Sequence, residues 1–148
     1  MKTNIMRIIS IILTIVFLCH FSNKKQEIKT QKATLKITIT NIKKIKGNLL
    51  VAVFDDESKF LKDFNLAKGK KISANTHEFV FKDLSLGIYA VSVFQDANKN
   101  NSFDTNFLGI PKEPYGFSNN PSTLFGPPNF EKASFQINSN STEVTIEL

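Results

Sequence analysis

The segment from Gly87 to Gln95, GIYAVSVFQ, carries the clearest strand pattern in the chain. Its side chains alternate between two sets: Tyr89, Val91 and Val93, and Ala90, Ser92 and Phe94. A strand places such alternating side chains on opposite faces of a sheet, whereas a helix would need apolar residues every three or four positions. The period of two therefore predicts a β-strand here, with one face turned to a core.

Six further segments are candidate strands, of which residues 49–54 are apolar on both faces and residues 70–73 form only a weak strand. These candidate strands are residues 33–40, 49–54, 70–73, 77–81, 133–138 and 143–148. The Gly47-Asn48 turn signal predicts that the first two form a hairpin, and residues 58–63 suggest one helical turn capped by Ser58. About seven short strands without a long helix predict an all-β fold, a single Greek-key sandwich of the immunoglobulin-like or transthyretin-like kind.

Size and charge restrict the classes of function. The chain has 148 residues, of which 41% are hydrophobic and 22% charged, which is enough for one globular core and too little for a multidomain enzyme. The net charge is +6, but Arg7 is the only arginine, so the positive charge comes almost entirely from lysine. Because lysine cannot make the bidentate contacts by which proteins read bases, we expect no nucleic-acid partner.

The N-terminus is typical of an export signal. Lys2 and Arg7 precede an apolar run at residues 8–18, whose eleven residues would rise about 16 Å as a helix, well short of a ~30 Å bilayer core. We expect a signal peptide at residues 1–22, a polar tether at 23–32 and a periplasmic or extracellular domain at 33–148, with no transmembrane span after the signal is removed.

Cys19, the only cysteine, leaves a lipid anchor open as an alternative. Leu18 before it is larger than lipoprotein processing prefers, which favours ordinary cleavage. A single cysteine also means that the domain has no internal disulfide.

A long segment without a clear strand or helix spans residues 96–130, which we call the cap. It contains six of the sixteen aromatic residues and all five prolines. Long irregular segments are usually disordered or functional, and the aromatic and proline content argues against disorder. We therefore expect an ordered cap over one end of the sandwich.

The cap begins with oxygen-bearing side chains at every second position: Asp96, Asn98, Asn100, Ser102 and Asp104. This spacing resembles the ligand positions of a calcium loop, so we expect weak Ca²⁺ binding. Asn101 replaces the usual glycine of such a loop, and Phe107 replaces its terminal acid. Glu113, Asp55 or Asp56 could supply that acid, and a series of Asx turns without metal is the alternative interpretation.

Several motifs between Phe94 and Ala133 occur together: D-x-N-x-N, D-T-N, G-I-P-K-E-P-Y-G-F-S-N-N and F-G-P-P-x-F-x-x-A. They resemble the domain of unknown function 2141 family, small exported bacterial β-sandwich proteins. The resemblance covers essentially the whole chain after the tether, and residues 115–120 and 125–130 are its most specific part. Gln95 and Asn101 depart from the histidine and glycine that this family often carries. The resemblance implies no activity.

Two classes of function follow from these residues. The first is a non-catalytic module that binds a glycan or an envelope protein, or has a structural role, through residues of the cap: Glu113, Tyr115, Phe117, Asn119 and Phe125. The alternative is a hydrolase with Glu113 or Asp104 as base and Tyr115 or a metal as electrophile. Because the chain contains no G-x-S-x-G or H-E-x-x-H motif, we name no catalytic residue and favour the non-enzyme.

Overall fold

Residues 31–148 are the part of the chain that this computed structural model describes. The predicted signal peptide, Cys19 and nearly all of the predicted tether lie outside the described residues. The described residues form one compact unit. Within it, every buried side-chain nitrogen and oxygen has a hydrogen-bond partner. Because both hydrophobic clusters are also built within it, we treat residues 31–148 as an independently folding unit.

The strands form two sheets, as the predicted sandwich requires. The first sheet has the order β4 (His77–Ser85), β1 (Lys32–Thr40), β8 (Ser141–Glu147), with β1 antiparallel to β4 and parallel to β8. The second has the order β3 (Leu66–Lys71), β2 (Asn48–Phe54), β5 (Gly87–Asp96), β6 (Tyr115–Phe117). A short strand β7 (Phe135–Ile137) also pairs with the start of β5. All pairs in the second sheet are antiparallel.

The core lies between the two sheets and follows the predicted alternation. Leu35, Ile37 and Ile39 of β1 are fully buried, and Lys36 and Thr38 between them are half-buried. Val91 and Val93 of β5 join the same cluster. The predicted all-β sandwich and the inward face of the central strand are therefore confirmed.

The predicted hairpin between the first two strands is wrong. β1 and β2 lie in different sheets, so residues 41–47 cross from one sheet to the other. Ile42 in this connection is buried, which draws the chain over the end of the core. Gly47 has a φ of +80°, and a Cβ there would lie 2.0 Å from the carbonyl oxygen of Asp96. The glycine thus permits a close approach between loops, not the tight hairpin turn that was expected.

Three other local predictions need correction. The turn near residue 58 is a 3₁₀ turn, Glu57–Lys59, and it is capped by Asp56, which accepts the Ser58 N–H. Part of the predicted strand at 133–138 is instead the end of a short helix α1 (Phe130–Ala133), followed by β7. The cap contains β6, so the described residues form eight strands where about seven were predicted. Within residues 31–148, no helix is long and apolar enough to span a membrane.

Candidate functional site

β6 divides the cap into two loops. Loop A, residues 97–114, connects β5 to β6, and loop B, residues 118–129, runs from β6 to α1. Loop A enters β6 (Tyr115–Phe117) at its first residue, and loop B leaves it at its last. The cap is therefore two loops with a strand of the second sheet between them, where the sequence predicted one irregular segment.

Two buried carboxylates hold the base of loop A. Glu113 is 7% exposed, and its two oxygens accept the N–H groups of Ala97, at 3.0 Å, and Asp104, at 3.1 Å. Asp96 is fully buried, and its carboxylate accepts the N–H groups of residues 99–101 at 2.6–3.2 Å. Burying a carboxylate is costly unless several donors surround it. These bonds compensate for the burial and fix the path of the loop.

The backbone of loop A turns sharply twice. Lys99 and Asn101 have φ values of +63° and +59°, in the left-handed region. Asn101 stands where a calcium loop usually has glycine, and asparagine tolerates this left-handed conformation better than most residues.

The remaining predicted metal ligands contact each other. The Asp104 carboxylate accepts the side-chain amides of Asn98, at 2.6 Å, and Asn100, at 3.1 and 3.2 Å. The side-chain oxygen of Asn98 accepts the Asn100 N–H, and that of Asn100 accepts the Ser102 N–H. These are the Asx turns of the alternative interpretation. Among residues 31–148, no three His, Cys, Asp or Glu side chains form a metal-binding group.

Of the three acids considered as the terminal calcium ligand, the structure places one beside the loop. Glu113 bonds to both ends of the 97–104 segment. Asp55 and Asp56 follow the far end of β2, because Phe54 pairs with Ala90 while the other end of the strand pairs with Asp96. Six residues of strand separate these ends by about 20 Å. The suggestion that Asp55 or Asp56 completes the site is therefore wrong.

The Y-G-F-S-N-N motif joins the two sheets. Gly116 of β6 lies against β8, where a Cβ would come within 2.6 Å of the Glu147 carbonyl oxygen and 2.8 Å of the Ile146 side chain. Only glycine permits this approach. The glycine of the motif is therefore required for β6 to pack closely against β8 of the first sheet.

Ser118 is the polar centre of this junction. It is fully buried, and its hydroxyl accepts the Val91 N–H at 2.9 Å and donates to the carbonyl of Ala133. The neighbouring Asn119 donates its amide to the carbonyls of Lys132, at 3.2 Å, and Ser134, at 2.7 Å. Asn119, which the sequence suggested as a binding residue, thus holds the end of α1 against β6.

Asn120 protects the free edge of β8. Its amide donates to the Thr145 carbonyl at 3.1 Å, and its side-chain oxygen accepts the Glu147 N–H at 2.9 Å. This pair of bonds imitates the next strand of a sheet, and edge strands need such cover against unwanted pairing. Sequence reasoning assigned no role to Ser118 or Asn120, and their presence in a specific family motif was the only available signal.

Most aromatic side chains of the cap pack into a continuous ladder across the outer face of the second sheet. Successive ring centroids lie 5.2–6.2 Å apart, mostly edge to face, along Phe94, Phe103, Tyr115, Phe117, Phe60, and then Phe54 and Phe130. Phe117 is buried and Tyr115 is half-buried. Both predicted binding residues therefore contribute to this cluster, as stacked aromatic rings usually do.

Two turns present large apolar side chains to solvent. Turn A is the tip of loop A, residues 105–111, closed by a bridge between Thr105 and Pro111 and by Asn106, whose side chain accepts two N–H groups. It exposes Phe107 (94%), Leu108 and Ile110. Turn B, residues 123–126, is closed by a bond from the Gly126 N–H to the Thr123 carbonyl and exposes Leu124 (85%) and Phe125 completely.

His77, the one histidine among the described residues, is a structural group. It is buried at the start of β4, and its Nε2 accepts the N–H groups of Ser73 and Ala74 at 3.0 and 3.3 Å. Burial lowers the pKa of His77, with a further contribution from the Lys70 charge. The side chain therefore caps the turn between β3 and β4.

The fold and these loops define a small all-β sandwich whose polar motifs serve to join the sheets and shape two exposed turns. The family model for an uncharacterized protein conserved in bacteria, DUF2141, matches residues 37–145. The chain therefore belongs to the DUF2141 family, as its motifs predicted. No curated protein and no solved structure shows a significant match.

Proposed function

We propose that this chain is an exported, non-catalytic β-sandwich module that binds a protein of the cell envelope through turns A and B. One observation carries the proposal: Phe107 and Phe125 are 94% and fully exposed, although the other aromatics of the cap pack into the ladder. Burying such a side chain stabilises a complex by about 1.5–3 kcal/mol. Export rests on the N-terminal sequence pattern.

The construction of the turns also supports binding. Turn A is held by the Asn106 side chain, and turn B by its own backbone bond and the following prolines, Pro127 and Pro128. A preorganised turn loses little conformational entropy when a partner covers it. Adjacent aliphatic and aromatic side chains fit an apolar pocket of a protein better than a glycan, whose hydroxyl groups need polar partners.

The carboxylates considered for the hydrolase alternative are engaged in the loop itself. Both oxygens of Glu113 accept backbone N–H groups, and Asp104 accepts two side-chain amides. These contacts favour a structural role, which supports the non-catalytic proposal.

Photo-crosslinking tests the partner. We would place p-benzoylphenylalanine at position 107 or 125 in the bacterium that produces the protein, with Ile88 as the control position, since Ile88 is 56% exposed but lies on a strand. We expect an adduct of defined mass from position 107 or 125 and none from 88. Equal adducts from all three positions, or none from either turn, would refute the proposal.

We also propose that Ca²⁺ stabilises loop A. Asp104 lies beside Asn98 and Asn100, whose side-chain oxygens now accept the N–H groups of Asn100 and Ser102, and a bound cation would replace these contacts. The resulting ligands are the hard oxygens that calcium prefers, with Asp96 and Ser102 as the other predicted members. The two acids and few remaining oxygens imply weak, millimolar binding.

Thermal unfolding of residues 31–148 in EDTA and then in calcium tests this proposal. With a Kd of about 1 mM, 10 mM calcium should stabilise the fold by about 1.4 kcal/mol, or roughly 4–6 °C in Tm. Asp104→Asn should remove the shift, and Asp63→Asn, at an exposed acid outside the cap, should retain it. If Tm does not change at ~10 mM calcium, the calcium proposal is refuted, and the residues from Asp96 to Asp104 form Asx turns only.

A further inference from the structure

A basic loop covers one end of the sandwich. Residues 41–47 present Lys43, Lys44 and Lys46 to solvent around Ile45, which is 54% exposed. No aspartate or glutamate occurs between residues 33 and 54. The charge of these three lysines therefore has no acidic neighbour along the chain.

The neighbouring strand adds to this charge. Lys71 of β3 pairs with Asn48, the residue that follows the basic loop, and Lys70 is its neighbour in the strand. The Ile72 N–H donates to the Gly47 carbonyl at 3.1 Å, which ties this end of β3 to the loop. Residues 64–77 also contain no acid. Five exposed lysines thus cluster at this end of the molecule.

Loop A leaves the same end of the sandwich. The Gln95 amide donates to the carbonyls of Lys44 and Lys46, both at 2.8 Å, and Gly47 lies against the backbone at the start of loop A. Asp96 and Glu113, at the base of loop A, are buried and bonded to backbone N–H groups. The exposed acids at this end are Glu78, which forms an ion pair with Lys36 at 3.0 Å, and Glu147, so the five lysines outnumber them. This end therefore carries the exposed lysines and Ile45, and loop A, whose tip is turn A, begins beside them.

We propose that this end of the sandwich docks on an anionic lipid surface. Lysines attract the headgroups, and apolar side chains that alternate with them enter the boundary between headgroups and acyl chains. A soluble polyanion would bind the lysine side chains but would leave the apolar side chains of Ile45 and Phe107 exposed to water. This inference rests on the proposed function in one respect: both treat turn A as a contact surface.

Vesicle co-sedimentation of residues 31–148 measures this binding. The vesicles contain phosphatidylcholine with 30% phosphatidylglycerol, and pure phosphatidylcholine is the comparison. EDTA is present throughout, so that the result does not depend on the calcium proposal. We expect binding to the anionic vesicles that is at least about a hundredfold tighter than to the neutral ones.

Variants divide the contributions. Each lysine near an anionic surface contributes about a fivefold increase in partitioning, so the triple replacement Lys43→Ala, Lys44→Ala and Lys46→Ala should weaken binding about a hundredfold. Ile45→Ser and Phe107→Ser should each weaken it about tenfold. Phe125→Ser, on loop B, is the matched control and should bind as the parent does. These side chains are exposed, so Tm should stay within a few degrees.

Three outcomes would overturn the inference. The first is no preference for anionic vesicles. The second is binding that heparin abolishes and that Ile45→Ser and Phe107→Ser leave unchanged, which would indicate a soluble polyanion. The third is an equal loss in Phe125→Ser, which would indicate nonspecific apolar adhesion. If vesicles fail to bind while positions 107 and 125 still cross-link a protein, the lipid inference falls and the proposed function stands.

Discussion

Replacing Ser118 by alanine tests whether the most specific motif of the chain has a structural role. The hydroxyl of this fully buried side chain accepts the Val91 N–H at 2.9 Å and donates to the Ala133 carbonyl. Alanine fits the same space but leaves both backbone groups without a partner in a place that water does not reach. Each such group costs about 1–3 kcal/mol. We therefore expect a loss of about 2–4 kcal/mol in the free energy of unfolding.

Urea denaturation of residues 31–148 measures this loss, and a thermal scan should show Tm lowered by about 10 °C. Ser139→Ala is the control, because Ser139 is exposed and its hydroxyl donates only to the Ser141 carbonyl. That variant should lose no more than about 0.5 kcal/mol. A Ser118→Ala protein as stable as the control would refute the structural role, and a binding role for the motif would then have to be reconsidered.

Three further predictions concern loop A and the turn before β4. Glu113→Gln should lower the free energy of unfolding by about 1–3 kcal/mol in the same urea assay, because an amide nitrogen cannot accept one of the two N–H groups that Glu113 now binds. The control is Glu131→Gln, at an exposed position, which should have no effect. Lys99→Gly should raise the free energy of unfolding by up to about 1 kcal/mol, because Lys99 has a φ of +63°, which glycine adopts without strain. The control is Lys82→Gly, in β4, which should lower the free energy of unfolding. Equal effects of the two substitutions would contradict the argument from backbone conformation. The lowered pKa of His77 means that the unfolded chain binds the proton more readily, so its contribution to stability is complete above pH 6.5 and is lost as the pH falls through the folded-state pKa. Urea midpoints at pH 7.5 and 5.5 should show a decrease that is smaller in His77→Gln, and an identical decrease in both proteins would refute this assignment.

Local patterns predicted the strands because alternation is a property of consecutive residues. Leu35, Ile37 and Ile39 had to face a core whichever strand lay beside them. The same holds for the inward face of β5, where Val91 and Val93 are buried. The family membership was also readable, because its motifs are contiguous in sequence.

Pairing between distant segments could not be read in this way. Gly47 looked like a hairpin turn, but its conformation serves a contact with Asp96, 49 residues later in the sequence. Strand β6 has only three residues and no alternating pattern of its own, and its pairing with β5 is what makes it a strand.

The sequence by itself determined the all-β class, the strand faces, the family and the polar character of the calcium-like series. Only the tertiary structure decided what the cap residues do, because burial depends on what packs around a side chain. It buried Phe117 and Ser118 and left Phe125 in solvent. It also brought Glu113 to the base of loop A and placed the lysines of the 41–47 loop beside those of β3, and local preferences do not encode such relations across sequence distance.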